Sequence, residues 1–172
     1  MNKSVKETVK AALIGAMYAA LTYACAGMGL AYNTVQFRFS EALTVLPLFS
    51  PAAVVGLAVG CAVSNIVSSV SPLDMIFGSL ATLLAAVATR ALRNVTVRGF
   101  PLLSFLAPVI VNGIIVGAEI SIFGGSGNVS FALFVTNAAS VAAGEAAVLF
   151  TLGAALWAAV RKNDKLRGVI ER

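Results

Sequence analysis

Long apolar runs limit the possible fold of this sequence more than any other feature. A helix needs about 20 consecutive apolar residues to cross the hydrocarbon core of a bilayer. Lipid offers the backbone no hydrogen-bond partners, so segments of this kind are expected to form helices. The sequence therefore predicts an all-α integral membrane bundle. The runs that reach or approach the required length are residues 11–31, 51–70, 73–89, 100–123 and 129–160.

The composition agrees with a membrane protein and excludes several classes of site. Hydrophobic residues make up 59% of the chain and charged residues only 11%. The two cysteines and the lack of histidine exclude Cys/His zinc sites, Ser-His-Asp triads and histidine-ligated haem. Cys25 and Cys61 lie in apolar runs, where cysteine behaves as a small hydrophobe. We expect no enzyme activity, no metal, no cofactor and no nucleic-acid partner.

The basic residues predict the orientation of the bundle. All of them except Arg38 lie in three clusters, namely before the first run, between the third and fourth runs, and after the last run. Lys and Arg accumulate on the cytoplasmic side of membrane proteins. All three clusters, and hence both termini, are therefore expected in the cytoplasm. The clustered residues are Lys3, Lys6, Lys10, Arg90, Arg93, Arg98, Arg161, Lys162, Lys165, Arg167 and Arg172.

This orientation requires an additional, short crossing. Only three long runs separate the first basic cluster from the second, and an even number of crossings is needed to return to the cytoplasm. The apolar piece at residues 42–49 supplies the fourth crossing if its helix extends back to Val35, which would make it about 24 Å long. We predict six transmembrane helices with a short second helix, in a single membrane-embedded domain at residues 1–172. The alternative, a secretory signal cleaved near Ala24–Ala26, is disfavoured because the first run is longer than a signal core.

Three acidic residues from separate predicted helices converge on the outer third of the bundle. Glu41 lies at the outer end of helix two, Asp74 at the outer start of helix four, and Glu119 near the outer end of helix five. Ionisable groups at membrane depth are costly, so a functional role is the first hypothesis for each of them. Glu145 lies deeper, in helix six, and ranks below Glu119 because it would also serve helix packing or coupling.

Amides and aromatic rings accompany these acids. Asn112 and Glu119 are seven residues apart and share a helix face. Carboxylates, amides and rings at one level suit a planar ligand rich in N–H donors. The neighbouring polar and aromatic residues are Gln36, Tyr32, Phe37, Phe39, Phe123, Phe131 and Phe134. The predicted substrate site itself consists of Arg38, Glu41, Asn65, Asp74, Phe77, Asn112, Glu119 and Asn137.

Purely structural roles stay open for each of these residues. Arg38 and Glu41 are three positions apart and would pair with each other on a helix surface. Asp74 would interact with the helix dipole as a first-turn acid. The asparagines would form interhelical hydrogen bonds, and single aromatic residues would belong to an interfacial belt. Only the convergence of these groups on one level favours a binding site.

A stripe of small residues runs along the first predicted helix. It contains Ala12, Ala16, Ala20 and Ala24 at every fourth position, with Gly15 and Ala19 alongside. Small residues allow another helix to approach closely within lipid. The stripe therefore predicts a helix contact along four turns of this segment.

Two blocks of the sequence resemble a known transporter family. They are QFRFSEALTVLPLFSPAAVVGLAVGC, which begins at Gln36, and LDMIFGSLATLLAA, which begins at Leu73. Together with six helices, internal termini and the alanine stripe, these blocks resemble the QueT family among the substrate-binding S components of energy-coupling factor (ECF) transporters. The resemblance covers nearly the whole chain, and the two blocks are its more specific part.

The resemblance implies a function and a set of partners. QueT proteins are assigned to the uptake of queuosine precursors, which are 7-deazaguanines such as preQ0 and preQ1, across the prokaryotic plasma membrane. An S component binds its substrate outside, joins a transmembrane coupling protein and two ATPase subunits, and topples to release the substrate inside. The implied roles are substrate acceptors for Asp74 and Glu119, an amide partner for Asn137, an outer lip for Arg38 and Glu41, and coupling-module docking for Ala12, Ala16 and Ala20.

Other functions stay open at this level. The chain would also suit an S component for another small vitamin-like molecule, an autonomous secondary transporter or channel with proton-relay acids, or a structural subunit without a ligand. The glycine-rich segment Gly124–Asn128 lacks the G-K-[ST] ending of a P-loop. Uphill transport would therefore take its energy from a partner or from an ion gradient.

Overall fold

Helices form almost all of the regular structure. The computed structural model describes residues 2–31, 37–68, 73–124 and 129–171, and within these ranges the only non-helical pairing is an isolated bridge between Val97 and Phe100. The α-helices are α1 (Lys3–Gly27), α2 (Ala52–Ser64), α3 (Asp74–Ala91), α4 (Leu102–Phe123), α5 (Phe131–Val148), α6 (Ala154–Lys162) and α7 (Asp164–Glu171). The other helices are the 3₁₀ helices Phe39–Leu48 and Asn65–Val67 and the π-helix Leu149–Gly153. The predicted all-α class is confirmed for this part of the chain.

Within the described residues, four helical segments are long and apolar enough to cross a membrane. They are α1, α3, α4 and the continuous segment Phe131–Lys162, in which a π-helical turn joins α5 to α6. Large apolar side chains such as Leu13, Ile110 and Ile114 are more than half exposed on their outer surfaces. Such surfaces are stable only against lipid or a partner, so the helices fit a membrane bundle.

The short second helix is a buried 3₁₀ helix that begins later than predicted. It starts at Phe39, and Arg38 before it has an extended backbone with φ −97° and ψ 107°. The predicted helical extension is therefore wrong for residues 37 and 38, and Val35 lies outside the described residues. A 3₁₀ helix rises about 2.0 Å per residue, so this short segment still reaches about 20 Å. Its side chains from Ser40 to Pro47 are buried, which places the segment inside the bundle.

The helices α1 and α2 approach each other closely through glycine. A Cβ atom on Gly60 would lie 2.6 Å from the carbonyl oxygen of Gly15, and a Cβ atom on Gly56 would lie 2.5 Å from the oxygen of Ala11. Both distances are well below van der Waals contact, so only glycine fits at these positions. Close backbone approach of this kind stabilises helix pairs in lipid.

The small-residue stripe on α1 is divided between two faces. Gly15 and Ala19 are buried, and Gly15 lies in the contact with α2. Ala12, Ala16 and Ala20 are exposed. The alanine positions therefore form a smooth surface that the described part of the bundle leaves exposed.

We expect Gly60→Ala to destabilise the bundle by about 1–3 kcal/mol, the usual cost of overpacking. The new methyl group would meet the backbone of α1, which moves less easily than a side chain. Gly27→Ala is the matched control, because an added Cβ on this helical glycine meets no heavy atom within 4 Å among the described residues. Thermal unfolding in detergent measures both variants. Equal midpoints for the two would contradict the close contact between α1 and α2.

The C-terminal end of the 3₁₀ helix is held by α3. Arg90 in the last turn of α3 donates hydrogen bonds to the carbonyl oxygens of Pro47 and Leu48, at 3.0 and 3.3 Å. The last carbonyls of a helix lack partners within the helix and attract a cation. This contact fixes the depth of the 3₁₀ helix, and hence the depth of Arg38 and Glu41 at its other end.

Candidate functional site

Arg38 is the centre of a buried polar cluster. Its side chain is only 5% exposed. The Nε atom donates to the carbonyl oxygen of Ala31 at 3.0 Å, Nη1 donates to Oδ1 of Asn65 at 3.3 Å, and Nη2 donates to Oδ2 of Asp74 at 3.4 Å. The extended backbone at Arg38 places the guanidinium between the ends of α2 and α3. A buried cation of this kind needs several acceptors to offset its desolvation.

Asp74 begins α3 and is fully buried. Its Oδ2 atom also accepts a 2.5 Å hydrogen bond from Ser68, and its backbone oxygen accepts one from Asn65 at 3.0 Å. One turn later, a Cβ on Gly78 would lie 2.5 Å from Nδ2 of Asn65 and 2.9 Å from Oδ1 of Asp74. Glycine at position 78 therefore leaves the space that this carboxylate and amide occupy. Asp74 is also a first-turn acid, so the helix dipole adds to its stabilisation.

Glu41 belongs to a deeper part of the cluster. Its Oε1 atom accepts a short hydrogen bond from the hydroxyl of Tyr18, which is completely buried in α1. Glu145 from α5 lies beside Glu41, and Asn112 from α4 lies beside Glu145. Among the described residues, Arg38 forms its close ion pair with Asp74 rather than with Glu41, the partner that the sequence spacing suggested.

A small cavity lies among these groups. Its volume is about 20 Å³. A cavity of this size holds about one water molecule, whereas pockets for small molecules usually enclose about 300–1,000 Å³. The bundle is therefore closed around the cluster. The lining residues are Arg38, Glu41, Gly78, Thr82, Asn112, Val116, Val141 and Glu145.

Glu119 joins the cluster from α4 at its Asp74 end, which we predict to be the outer end. It is 2% exposed and lies close to the carboxylate of Asp74. Asn112, two turns earlier, is 5% exposed. The predicted common face of Asn112 and Glu119 is thus the buried face of α4.

Several buried carboxylate oxygens have no hydrogen-bond partner among the described residues. They are Oε2 of Glu41, Oδ1 of Asp74, both oxygens of Glu119 and Oε1 of Glu145. An unsatisfied buried acceptor costs about 1–3 kcal/mol, and native proteins contain few of them. Four acidic groups around one guanidinium therefore leave this cluster rich in acceptors and poor in donors.

Arg38, Glu41 and Asn112 are the predicted site residues that line the cavity, whereas Asn65, Asp74, Phe77, Glu119 and Asn137 do not. Asn137 in α5 donates a 2.9 Å hydrogen bond to Ser121 in α4, the interhelical contact that we gave as its structural alternative. Phe77 in α3 stacks on Phe123 in α4, with ring centroids 5.9 Å apart and an interplanar angle of 25°. Both contacts join neighbouring helices at the cluster's edge. Gln36 and Tyr32 lie outside the described residues.

Sequence reasoning missed Tyr18 and Thr82, and Glu145, which it ranked below Glu119, lines the cavity. Asn137, Val141 and Glu145 recur at every fourth position and are all buried, so they share one face of α5. The same spacing joins Asp74, Gly78 and Thr82 on α3. This periodicity was the signal for Thr82 and Glu145. The role of Tyr18 depends on the rotation of α1, which the sequence does not reveal.

The cluster offers several carboxylate acceptors and one guanidinium donor. Within the described residues, no group of three or more Cys, Asp or Glu side chains is arranged to hold a metal ion. A ligand with several N–H groups would satisfy the free carboxylate oxygens, and Arg38 would donate to a ligand carbonyl if it moved away from Asp74.

Comparison with known proteins gives two findings. The family described as QueT transporter matches residues 8–162. A protein of Lactococcus lactis subsp. cremoris (strain MG1363), named queuosine precursor transporter QueT, is 33% identical over 84 residues, which are 48% of this chain and 49% of that protein. The match thus spans about half the length of this curated relative. No solved structure matches the chain.

Proposed function

Since this chain belongs to the QueT transporter family, we propose that it captures a queuosine precursor of the 7-deazaguanine class in the buried polar cluster. We further propose that it acts as the S component of an ECF transporter. In this role it binds the precursor on the outer side and releases it inside after docking to a transmembrane coupling protein with two ATPase subunits. We therefore propose that the chain acts in transport and not as an enzyme.

We base the choice of ligand on the unpaired carboxylate oxygens of the cluster. A 7-deazaguanine presents a ring N–H and an exocyclic amine on one edge, which a carboxylate accepts in a bidentate manner. Glu119 has two such oxygens and Asp74 has one. The ligand's carbonyl oxygen needs a donor, which Asn112 would supply, as would Arg38 after it separates from Asp74. We therefore assign ring recognition to the outer part of the cluster.

The deeper carboxylates suit the substituent of the ring. Glu41 and Glu145 each keep one unpaired oxygen at the cavity. An aminomethyl group carries a positive charge and several N–H donors, so it would satisfy both oxygens and offset their charge. Glu145 thereby gains a proposed role in substrate binding that its depth alone did not indicate.

Binding requires the bundle to open. The cavity of about 20 Å³ is too small for a bicyclic ring. The ion pair between Arg38 and Asp74 and the stacked pair Phe77 and Phe123 close the cluster in this state. We propose that the ligand separates these pairs and takes over their contacts, with the rings as stacking partners.

We expect Glu119→Gln to weaken binding of a 7-deazaguanine precursor by about 1–3 kcal/mol. The amide would retain only one acceptor oxygen and would bring an N–H group towards the ligand's own donors. Asp74→Asn should act in the same direction. Asp164→Ala is the control, because Asp164 lies at the start of α7, away from the cluster. Isothermal titration of the purified chain against guanine analogues and vitamins measures these affinities, and parental binding by both cluster variants would show that the site lies elsewhere.

We propose six membrane crossings with both termini in the cytoplasm of a prokaryote and one domain over the whole chain. The Phe39–Leu48 and Ala52–Ser64 helices are apolar but shorter than usual spans. Paired through their tight turn and enclosed by the longer helices, they would together complete two crossings in a locally thinned bilayer. Single cysteines placed at Lys6 and Arg98 should then be labelled only from the inner side of the plasma membrane.

An autonomous transporter is the rival function, because buried acids also serve as proton relays. Reconstitution separates the two hypotheses. An S component alone in liposomes binds the precursor without concentrating it, and uptake appears only when the coupling protein and ATPases are added with ATP. Proton-driven uptake by the chain alone would contradict the proposed S-component role.

A further inference from the structure

A second pocket lies at the opposite end of the bundle from the polar cluster. It is open, encloses about 320 Å³ and lies between the connection from α3 to α4, the end of α6 and α7. Arg93, Arg161 and Arg167 line it, together with Trp157, Leu48 and Gly99. No acidic residue lines it within the described part of the chain. The pocket is therefore cationic, and it shares no lining residue with the cavity beside Arg38.

Local structure holds the arginines in place. Arg98 and Gly99 have positive φ values of 52° and 80°, and their tight turn directs the carbonyl oxygen of Gly99 to Nη1 of Arg161 at 3.0 Å. The Arg161 guanidinium also lies 5.1 Å from the ring centroid of Trp157, a favourable cation–π distance. Nη1 of Arg93 donates to the backbone oxygen of Arg90 at 3.1 Å. A guanidinium has five N–H donors, and Arg93 and Arg161 each use one of theirs in these contacts, so both have donors to offer an anion.

The pocket adjoins a cluster of aromatic rings that ends in partly exposed apolar side chains. Trp157 packs edge-on against Phe100 at 5.2 Å, and Phe100 lies 6.4 Å from Phe150. Phe150 is 38% exposed and Leu103 nearby in sequence is 41% exposed. A soluble anion would use only the arginines. A molecule with a phosphate and acyl chains would use the arginines, the aromatic cluster and the outer surface.

We propose that this pocket binds the phosphate headgroup of an anionic phospholipid, with Arg93 and Arg161 as the phosphate-binding residues and Trp157 at the boundary with the acyl chains. Basic pockets between helices at a membrane surface bind such headgroups, and tryptophan collects at this interface. The bound lipid would tie α6 to the turn after α3. This proposal is independent of the proposed substrate site, because it concerns a different pocket.

Lipid retention tests the proposal. The full chain is purified from nanodiscs of phosphatidylcholine mixed with phosphatidylglycerol, and native mass spectrometry measures which lipid stays bound. Phosphatidylglycerol should be retained preferentially. Arg93→Gln and Arg161→Gln should each lower this preference about fivefold, since a basic residue near the headgroups contributes about 1 kcal/mol. Arg161→Lys should keep most of it.

Lys162→Gln is the matched control, because it removes the same charge one residue away without lining the pocket. An equal loss with Lys162→Gln would show diffuse surface attraction and overturn the site, as would equal retention of the two lipids. Full displacement of the lipid by soluble glycerol phosphate would overturn it in favour of a free-anion site. Unfolding midpoints in phosphatidylcholine alone check folding, and the exposed Arg93→Gln carries the test if Arg161→Gln does not fold.

Discussion

Arg38→Gln is expected to destabilise the protein by about 3–5 kcal/mol and to lower precursor affinity by about tenfold or more. The guanidinium holds Asp74, Asn65 and the backbone oxygen of Ala31 in one buried network. Its loss would leave four buried acidic groups without their nearby cation. Breaking one side of a buried ion pair costs much more than the pair itself contributes, because the remaining charge stays desolvated.

The double variant Arg38→Gln/Asp74→Asn distinguishes this explanation from a general packing defect. Removing both charges should recover part of the lost stability, because two neutral groups are cheaper to bury than one unpaired carboxylate. Thermal unfolding and isothermal titration measure the two effects. Lys6→Gln, which removes an exposed cation from the start of α1, should change neither. A fully stable Arg38→Gln single variant would contradict the central role of this network.

Ala16→Trp is expected to abolish cellular uptake while precursor binding by the isolated chain stays near the parental value. Ala16 lies on the exposed alanine face of α1, which we propose as the docking surface for the coupling module. An indole at this position would prevent close helix approach. The side chain faces away from the internal contact made by Gly15, so the fold should tolerate it.

Copurification with the coupling module supplies the second measurement for Ala16→Trp. The variant should lose the module, whereas Ala143→Trp should retain it, since Ala143 is exposed on α5 rather than on α1. Normal uptake by a well-expressed Ala16→Trp variant would contradict docking through this face. Loss of precursor binding would instead point to damage within the bundle.

The sequence predicted which residues form the polar cluster better than it predicted the contacts between them. Arg38, Glu41, Asp74 and Glu119 were identified because ionisable groups in apolar runs are costly enough to need a reason. Their convergence followed from counting crossings, and the structure does bring these four residues into one buried cluster. The sequence did not predict which residues these four side chains contact. Arg38 meets an acid 36 positions away rather than its near neighbour, and Glu41 meets Tyr18, 23 positions away.

By itself, the sequence determined that the chain forms apolar helices and which polar residues lie within them. The reason is that lipid cannot satisfy a backbone, so long apolar runs have little choice of structure. Tertiary packing decided the rotation and the depth of these helices. The glycine contact between α1 and α2 set the rotation that turns Tyr18 inward, and the 3₁₀ geometry with its Arg90 contact set the depth of Glu41. Rotation and depth depend on contacts between distant segments, and no single run encodes them.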